Sequence, residues 1–91
     1  MTMKWNGVTP DQYEMVRKSV NWEGDLPKGA VFHAAGFHDG ALRVTDIWES
    51  AEDFNNFVSS RLMPGVAQTG ITGQPEVEVF PVHAVFAPVA L

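Results

Sequence analysis

The chain has 91 residues, of which 45% are apolar and 19% are charged, and this size and composition predict one small globular domain. It contains no cysteine, which excludes disulfides, thiol catalysis and thiolate metal sites. Eleven acidic residues outnumber six scattered basic ones, so we expect no nucleic-acid partner.

The first part of the chain predicts a short strand followed by a helix. Met3 to Val8 is at most a short strand. Thr9 can cap a helix from about Pro10 to Val20, and Gln12 completes a capping box with it. The apolar face of this helix carries Tyr13, Val16 and Val20. Residues 21–29 contain Gly, Asp and Pro and are expected to form a loop.

A β-hairpin is the strongest local signal. Two runs rich in β-forming residues, Ala30 to His38 and Ala41 to Glu49, flank the dipeptide Asp39-Gly40, which favours a two-residue type I′ turn. The register that follows pairs Phe37 with Leu42, Ala35 with Val44, His33 with Asp46, and Val31 with Trp48. Neither face of the hairpin is clearly polar, so we expect its sheet to be covered on both sides.

A second helix is predicted from Ala51 to Leu62. Ser50 can cap it, and its apolar stripe includes Phe54 and Phe57. Pro64 lacks an N–H and is expected to interrupt the helix near its end, with another turn or two of helix afterwards.

The last segment, Glu76 to Ala87, alternates as a long strand. Pro81 cannot donate to a ladder, so it implies an edge, a bulge or a break that frees the following residues to pair elsewhere. The order strand, helix, two-stranded hairpin, helix, strand predicts an α+β domain of the ferredoxin-like βαββαβ type, with a four-stranded antiparallel sheet over residues 1–91.

Two observations bear on location. The first ten residues contain no apolar h-region, so we expect no signal peptide. The longest uncharged stretches, 62–75 and 79–91, carry Pro and Gly and are shorter than a membrane span. We therefore expect a cytoplasmic protein that does not associate with membranes.

His33 and Asp46 form the one polar pair that the predicted register creates. Asp46 would orient His33 and favour its protonated form, which gives a general base or a hydrogen-bond donor beside Trp48. The alternative is a satisfied structural pair in a packed sheet face. No phosphate-binding loop, nucleophile elbow or zinc-protease motif is present, and we expect neither a metal nor a cofactor.

Four aromatic residues are candidates for contact with a ligand. Trp48 offers a large stacking surface and one N–H donor, and Tyr13 could direct its hydroxyl into a pocket. Phe54 and Phe57 could line the same pocket. For all four, packing in the core is the alternative, and the helical spacing of the two phenylalanines favours it.

The run from Leu42 to Phe54, LRVTDIWESAEDF, resembles the strand-to-helix junction of the dimeric α/β barrel superfamily, nearest to its antibiotic biosynthesis monooxygenase branch. The resemblance implies that two ferredoxin-like subunits pack their sheets face to face and that the last strand helps to join them. It also implies a cavity for a small aromatic ligand between sheet and helices, with Trp48 in its wall and Phe54, Phe57 and Tyr13 as neighbours.

Two features of the sequence differ from those of relatives in that superfamily. Val44 stands four residues before Trp48, where some cofactor-free oxygenases of the group have Asn. The second helix contains no His, so the haem ligation of the haem-degrading relatives is not expected.

The sequence as a whole predicts a homodimer, because so short a chain buries only about 60–65% of the surface that its unfolded form exposes and has no disulfides to compensate. The expected function is binding of a small apolar or aromatic molecule, with cofactor-independent, monooxygenase-like chemistry at His33 and Asp46. The alternative is a non-catalytic dimeric module, structural or ligand-binding, whose cavity is filled by its own side chains.

Overall fold

A computed structural model of the chain describes residues 1–88. Its elements, in chain order, are β1 (Thr2–Asn6), α1 (Pro10–Val20), β2 (Ala30–His38), β3 (Ala41–Trp48), α2 (Ala51–Phe57), a π-helical segment (Val58–Leu62), α3 (Met63–Ala67) and β4 (Glu76–Glu78). The strands form one antiparallel sheet in the order β2-β3-β1-β4. This α+β architecture is compatible with the predicted ferredoxin-like fold.

Local signals determine both ends of α1. The Thr9 hydroxyl accepts a hydrogen bond from the backbone N–H of Gln12, and the Gln12 side chain accepts one from the backbone N–H of Thr9. The helix ends at Asn21, which adopts a left-handed conformation with φ of 55°. Val16 and Val20 are buried, so the predicted helix and its apolar face are confirmed.

The hairpin has the predicted turn and most of the predicted register. Asp39 and Gly40 both have positive φ, as a type I′ turn requires. The pairs Phe37 with Leu42, Ala35 with Val44, and His33 with Asp46 are confirmed.

The predicted pairing of Val31 with Trp48 is wrong. A β-bulge at the start of β2 places Ala30 opposite Trp48 instead, and leaves Val31 without a partner. The extra residue in one strand bends it locally. Val31 is 60% exposed as a result.

The second helical region does not break at Pro64. The π-helical segment follows α2 directly, and the N–H of Met63 donates to the carbonyl of Val58, five residues earlier. This wider turn accommodates the proline, which has no N–H of its own to donate. Near Leu62, where an interruption was expected, the chain changes from π-helical to α-helical winding. Helix α3 follows directly, and its residues Gly65 and Val66 are buried.

The long last strand predicted from Glu76 to Ala87 is wrong. Strand β4 ends at Glu78, whose partner Thr2 is the first residue of β1, so the ladder has no further partner. Residues 79–88 form no strand and are exposed. We call residues 79–88 the C-terminal arm.

One face of the sheet holds the core. Side chains from β1 and β3 pack there against α1, α2 and α3, and the buried cluster comprises Met1, Met3, Trp5, Val8, Val16, Val20, Leu42, Val44, Phe54 and Val66. We call the opposite side the outer face. It carries Lys4, Arg43 and Thr45, of which Arg43 and Thr45 are exposed within residues 1–88. Cover on both sides of the sheet stays a prediction that concerns the dimer. Within residues 1–88 no helix is long and apolar enough to cross a membrane.

Candidate functional site

A cavity of about 200 Å³ lies between the helix-bearing face of the sheet and the helices, and its lining is mostly apolar. It includes all six residues predicted from the sequence, His33, Asp46, Trp48, Tyr13, Phe54 and Phe57. The exposed residues in its wall, Leu26, Val31, Phe32 and His33, mark where it opens to solvent. The fold therefore brings the predicted residues to one place.

His33 and Asp46 are cross-strand neighbours on β2 and β3. Nδ1 of His33 lies 2.6 Å from Oδ1 of Asp46. The other carboxylate oxygen of Asp46, Oδ2, accepts a hydrogen bond of 3.1 Å from the indole N–H of Trp48. Asp46 is 7% exposed, and each of its two carboxylate oxygens accepts a hydrogen bond within the protein, as a buried carboxylate requires.

Tyr13 extends this pair from the helix side. Its hydroxyl oxygen lies 2.8 Å from Nε2 of His33, and the two rings are almost parallel, at 2°. A carboxylate only accepts hydrogen bonds, so a neutral His33 donates from Nδ1 to Asp46 and accepts at Nε2 from the Tyr13 hydroxyl. The four side chains thus form one chain in the order Tyr13, His33, Asp46, Trp48, which we call the hydrogen-bonded chain.

The environment of Tyr13 keeps its hydroxyl protonated. Burial raises the pKa of Tyr13, and the nearby carboxylates of Glu14, Asp46 and Glu23 act in the same direction, while Arg17 opposes them. With its hydrogen donated to His33, the Tyr13 oxygen keeps lone pairs that can accept a hydrogen bond from a ligand. The hydrogen-bonded chain can therefore receive a proton at Tyr13 and pass one to His33.

Phe54 and Phe57 pack around Trp48 rather than around His33. The ring centroids of Trp48 and Phe54 are 5.8 Å apart, and those of Trp48 and Phe57 are 5.2 Å apart. Phe54 is buried and Phe57 is half-buried. Both residues therefore support the indole of Trp48 as well as lining the cavity.

Trp22 belongs to this site and was missed by the sequence analysis. Its ring lies 5.3 Å from His33 and 6.0 Å from Tyr13, between centroids. It stands in the loop after α1, where composition indicated only a turn-rich connection. A large aromatic residue in a loop rich in Gly, Asp and Pro was the one available signal.

The site offers no group of metal ligands. Within the part of the chain that the structure describes, no three His, Asp or Glu side chains lie close enough together to hold a metal ion. A scan against protein-family models and a search of curated proteins both returned no match to this chain.

Proposed function

We propose that this protein binds a small apolar or aromatic molecule in its cavity and acts on it as an enzyme, with His33 as the base. The observation that carries the proposal is a hydrogen-bonded chain of Tyr13, His33, Asp46 and Trp48 in the wall of an apolar cavity. A mostly apolar pocket with a few convergent polar groups is the usual form of a small-molecule site.

The size of the cavity limits the ligand. At about 200 Å³ it exceeds the roughly 150 Å³ engineered cavity that holds benzene. A molecule with one or two aromatic rings therefore suits it. Trp48, Phe54 and Phe57 supply ring faces and edges for stacking, and Tyr13 supplies the polar contact.

The route of the proton follows from the direction of the hydrogen bonds. Both nitrogens of His33 are engaged inside the protein, so a ligand donates to the oxygen of Tyr13. As the ligand proton moves to Tyr13, the Tyr13 proton moves to Nε2 of His33. The carboxylate of Asp46 stabilises the imidazolium that results, and the Trp48 N–H holds that carboxylate in place.

Oxygenation without a cofactor is the reaction class that we propose for this base. Removal of a proton from an acidic C–H or O–H leaves an electron-rich anion that can reduce dioxygen. For a methylene group the balance is CH₂ plus O₂ giving C=O plus water. The first C–H proton passes through Tyr13 to His33 and returns to the outer oxygen of the peroxide that forms on carbon. The second C–H proton is lost as the O–O bond breaks, and it joins the departing hydroxide to give the water. The resemblance of residues 42–54 to the dimeric α/β barrel superfamily supports this class.

Binding is tested first, and turnover second. Thermal denaturation in the presence of one- and two-ring phenols and quinones would reveal a ligand by a rise in Tm. With that ligand, oxygen uptake should fall at least about 100-fold in His33→Gln, which is typical for loss of a general base. His38→Gln, at the exposed end of the hairpin, is the matched control. Equal uptake by His33→Gln and wild type would exclude the mechanism.

A non-catalytic dimeric module, structural or ligand-binding, is the second candidate. It is favoured by one observation: among residues 1–88, no buried side-chain nitrogen or oxygen lacks a hydrogen-bond partner. The hydrogen-bonded chain is complete without a ligand, as a purely structural network would be. A Tm raised by an aromatic ligand without any turnover would favour a ligand-binding module, and no response to any ligand would favour a structural one.

We also propose that the protein acts as a homodimer, in which two outer faces pack against each other as in a dimeric α/β barrel. Two features support it. Within residues 1–88, Arg43 and Thr45 on the outer face are exposed, and the C-terminal arm exposes large apolar side chains, of which Phe86 is 90% exposed. Sedimentation at micromolar concentration should give a dimer, and a stable monomer there would contradict the barrel.

A further inference from the structure

We infer that Trp22 is a positioning residue of the proposed site, and that Arg61 latches the loop that carries it over the cavity. We call loop residues 22–27 the cover segment. This inference rests on the proposed function for its meaning, because a cover matters only if the cavity admits a ligand. Its tests do not need the ligand.

The contacts of Trp22 place it against both partners of one hydrogen bond. Its indole lies 6.0 Å from the ring of Tyr13 and 5.3 Å from that of His33, tilted by 55° and 53°. Aromatic rings in contact limit each other's rotation. Trp22 therefore restricts the rings of Tyr13 and His33 to the geometry that a proton transfer needs.

The cover segment closes over the cavity beyond Trp22. Leu26 and Pro27 contribute to the cavity wall, although Leu26 is 74% exposed on its other side. Asn21, just before the segment, and Gly29, two residues after it, both have positive φ, so the chain turns sharply near each end. Movement of this segment would open the cavity beside Tyr13 and His33.

Arg61 holds the cover segment from the π-helical segment. Its Nη2 donates to the carbonyl of Val20, at 2.9 Å, and to the carbonyl of Asp25, at 2.7 Å. The first carbonyl lies at the end of α1 and the second lies within the cover segment. The guanidinium also lies 5.7 Å from the centroid of the Phe57 ring. One side chain thus ties the end of α1, the cover segment and the cavity wall together.

A second contact, between Arg17 and Glu23, also holds the cover segment, but it is more exposed. Nη2 of Arg17 donates to Oε2 of Glu23 at 3.0 Å, and this contact lowers the pKa of Glu23. Both side chains are about half exposed, so the pair contributes little to stability. The Arg61 side chain is 24% exposed and donates to backbone carbonyls, which makes it the stronger latch.

The alkaline titration of Tyr13 tests the role of Trp22. Tyr13 is the only tyrosine, so the absorbance of tyrosinate reports on this residue alone. Trp22→Ala should lower the pH at which Tyr13 ionises, because it admits water to the ring, and Trp22→Phe should restore the wild-type curve. Val20→Ala, which removes a buried side chain outside the cavity wall, should destabilise the fold without moving the curve. A wild-type curve in Trp22→Ala would overturn the inference.

Amide hydrogen exchange tests the latch. The N–H of Asp25 donates to the carbonyl of Asn21, and the N–H of Ala30 donates to that of Pro27. In Arg61→Met both amides should exchange at least about tenfold faster, the loss expected for one charge-assisted hydrogen bond, whereas the amide of Val16 inside α1 should not. Glu23→Gln should have a smaller effect. Equal exchange in Arg61→Met and wild type would overturn the latch.

Binding of 2-naphthol, followed in parallel, separates this inference from the proposed function. If the wild-type protein binds no aromatic probe while Tyr13 and the two amides respond as expected, the proposed function fails and the cover remains. If 2-naphthol binds and neither readout moves, the cover fails and the proposed function remains. If both hold, Arg61→Met should raise the association and dissociation rates of 2-naphthol together, by about the same factor.

Discussion

The hydroxyl oxygen of Tyr13 lies 2.8 Å from Nε2 of His33, and this hydrogen bond joins α1 to the edge strand β2. Because Nδ1 of the same imidazole meets Asp46, His33 has no nitrogen left for a ligand. Any proton exchanged with a ligand therefore passes through Tyr13 or requires Tyr13 to move away. The protonation of this phenol is the property of the site that is most open to measurement.

Stability should fall at alkaline pH because of Tyr13. Burial raises the pKa of Tyr13, so the folded chain keeps a proton that the unfolded chain loses near its ordinary value of about 10. The unfolded state then binds fewer protons, and the free energy of unfolding decreases as pH rises from about 10 through the folded-state pKa. Urea denaturation across this range measures it. Tyr13→Phe should remove this part of the decrease, and an identical pH dependence in that variant would contradict the assignment.

Asp46→Asn should destabilise the fold by about 1–3 kcal/mol, the usual cost of a buried polar group without its partner. Asn offers one carbonyl oxygen, while two donors, Nδ1–H of His33 and the indole N–H of Trp48, need acceptors. The midpoint of urea denaturation at neutral pH measures this effect.

A matched control exists at the turn of the hairpin. Asp39 also contacts a histidine, His38, but both side chains are mostly exposed. Asp39 has φ of 51°, a conformation that Asn tolerates well, so Asp39→Asn should change stability by less than about 0.5 kcal/mol. If Asp39→Asn lost as much stability as Asp46→Asn, the loss would not depend on burial of the carboxylate.

The local structure was largely predictable from the sequence. Thr9 with Gln12, and Asp39 with Gly40, are short-range signals whose geometry involves only a few neighbouring residues, and both form as predicted. The turn then fixes the register as far as His33 opposite Asp46. The prediction fails beyond this point, because a bulge near Val31 depends on how the preceding loop reaches the sheet rather than on the turn.

Contacts between distant elements were not predictable in the same way. Tyr13 was a candidate for the pocket, but its hydrogen bond to His33 depends on the rotation and height of α1 over the sheet, which periodicity does not fix. Trp22 lies in a loop that Arg61 contacts from the π-helical segment, by hydrogen bonds to the carbonyl of Asp25 within the loop and to that of Val20 just before it. The strand expected after Glu78 fails because β1 offers no further partner, although its side chains alternate as those of a strand do.

Gly65→Ala should destabilise the contact between α1 and α3. A Cβ at this position would lie 2.7 Å from Cγ2 of Val20, which is buried and cannot move away freely. Overpacking costs about 1–3 kcal/mol, while alanine gains about 1 kcal/mol over glycine in a helix, so a net loss of up to about 2 kcal/mol is expected. Urea denaturation measures this loss.

A second background gives the control for Gly65→Ala. In Val20→Ala the obstructing methyl group is absent, so only the helix-propensity gain remains. The same Gly65→Ala change should therefore be neutral or stabilising there. Equal losses in both backgrounds would show that the contact with Val20 is not the cause.

The proposed dimer should respond to charge reversal on the outer face. Lys4 pairs with Arg43 on one side and with Glu76 on the other, so a basic pair lies beside an acidic residue in one row across the sheet. If the two-fold axis of the proposed dimer ran parallel to β1, it would bring Arg43 opposite Glu76 of the partner subunit. Arg43→Glu should therefore weaken the dimer at low salt, because like charges then oppose each other.

Sedimentation of three variants tests this arrangement. Arg43→Glu should raise the dimer Kd by at least about tenfold, an electrostatic cost of about 1.4 kcal/mol or more. Adding Glu76→Arg in the same chain should restore the dimer, because each charge again faces its opposite. Lys18→Glu, on the exposed side of α1, changes the net charge equally and should leave the Kd unchanged. If Arg43→Glu and Lys18→Glu weaken the dimer to the same degree, net charge rather than the outer face controls association.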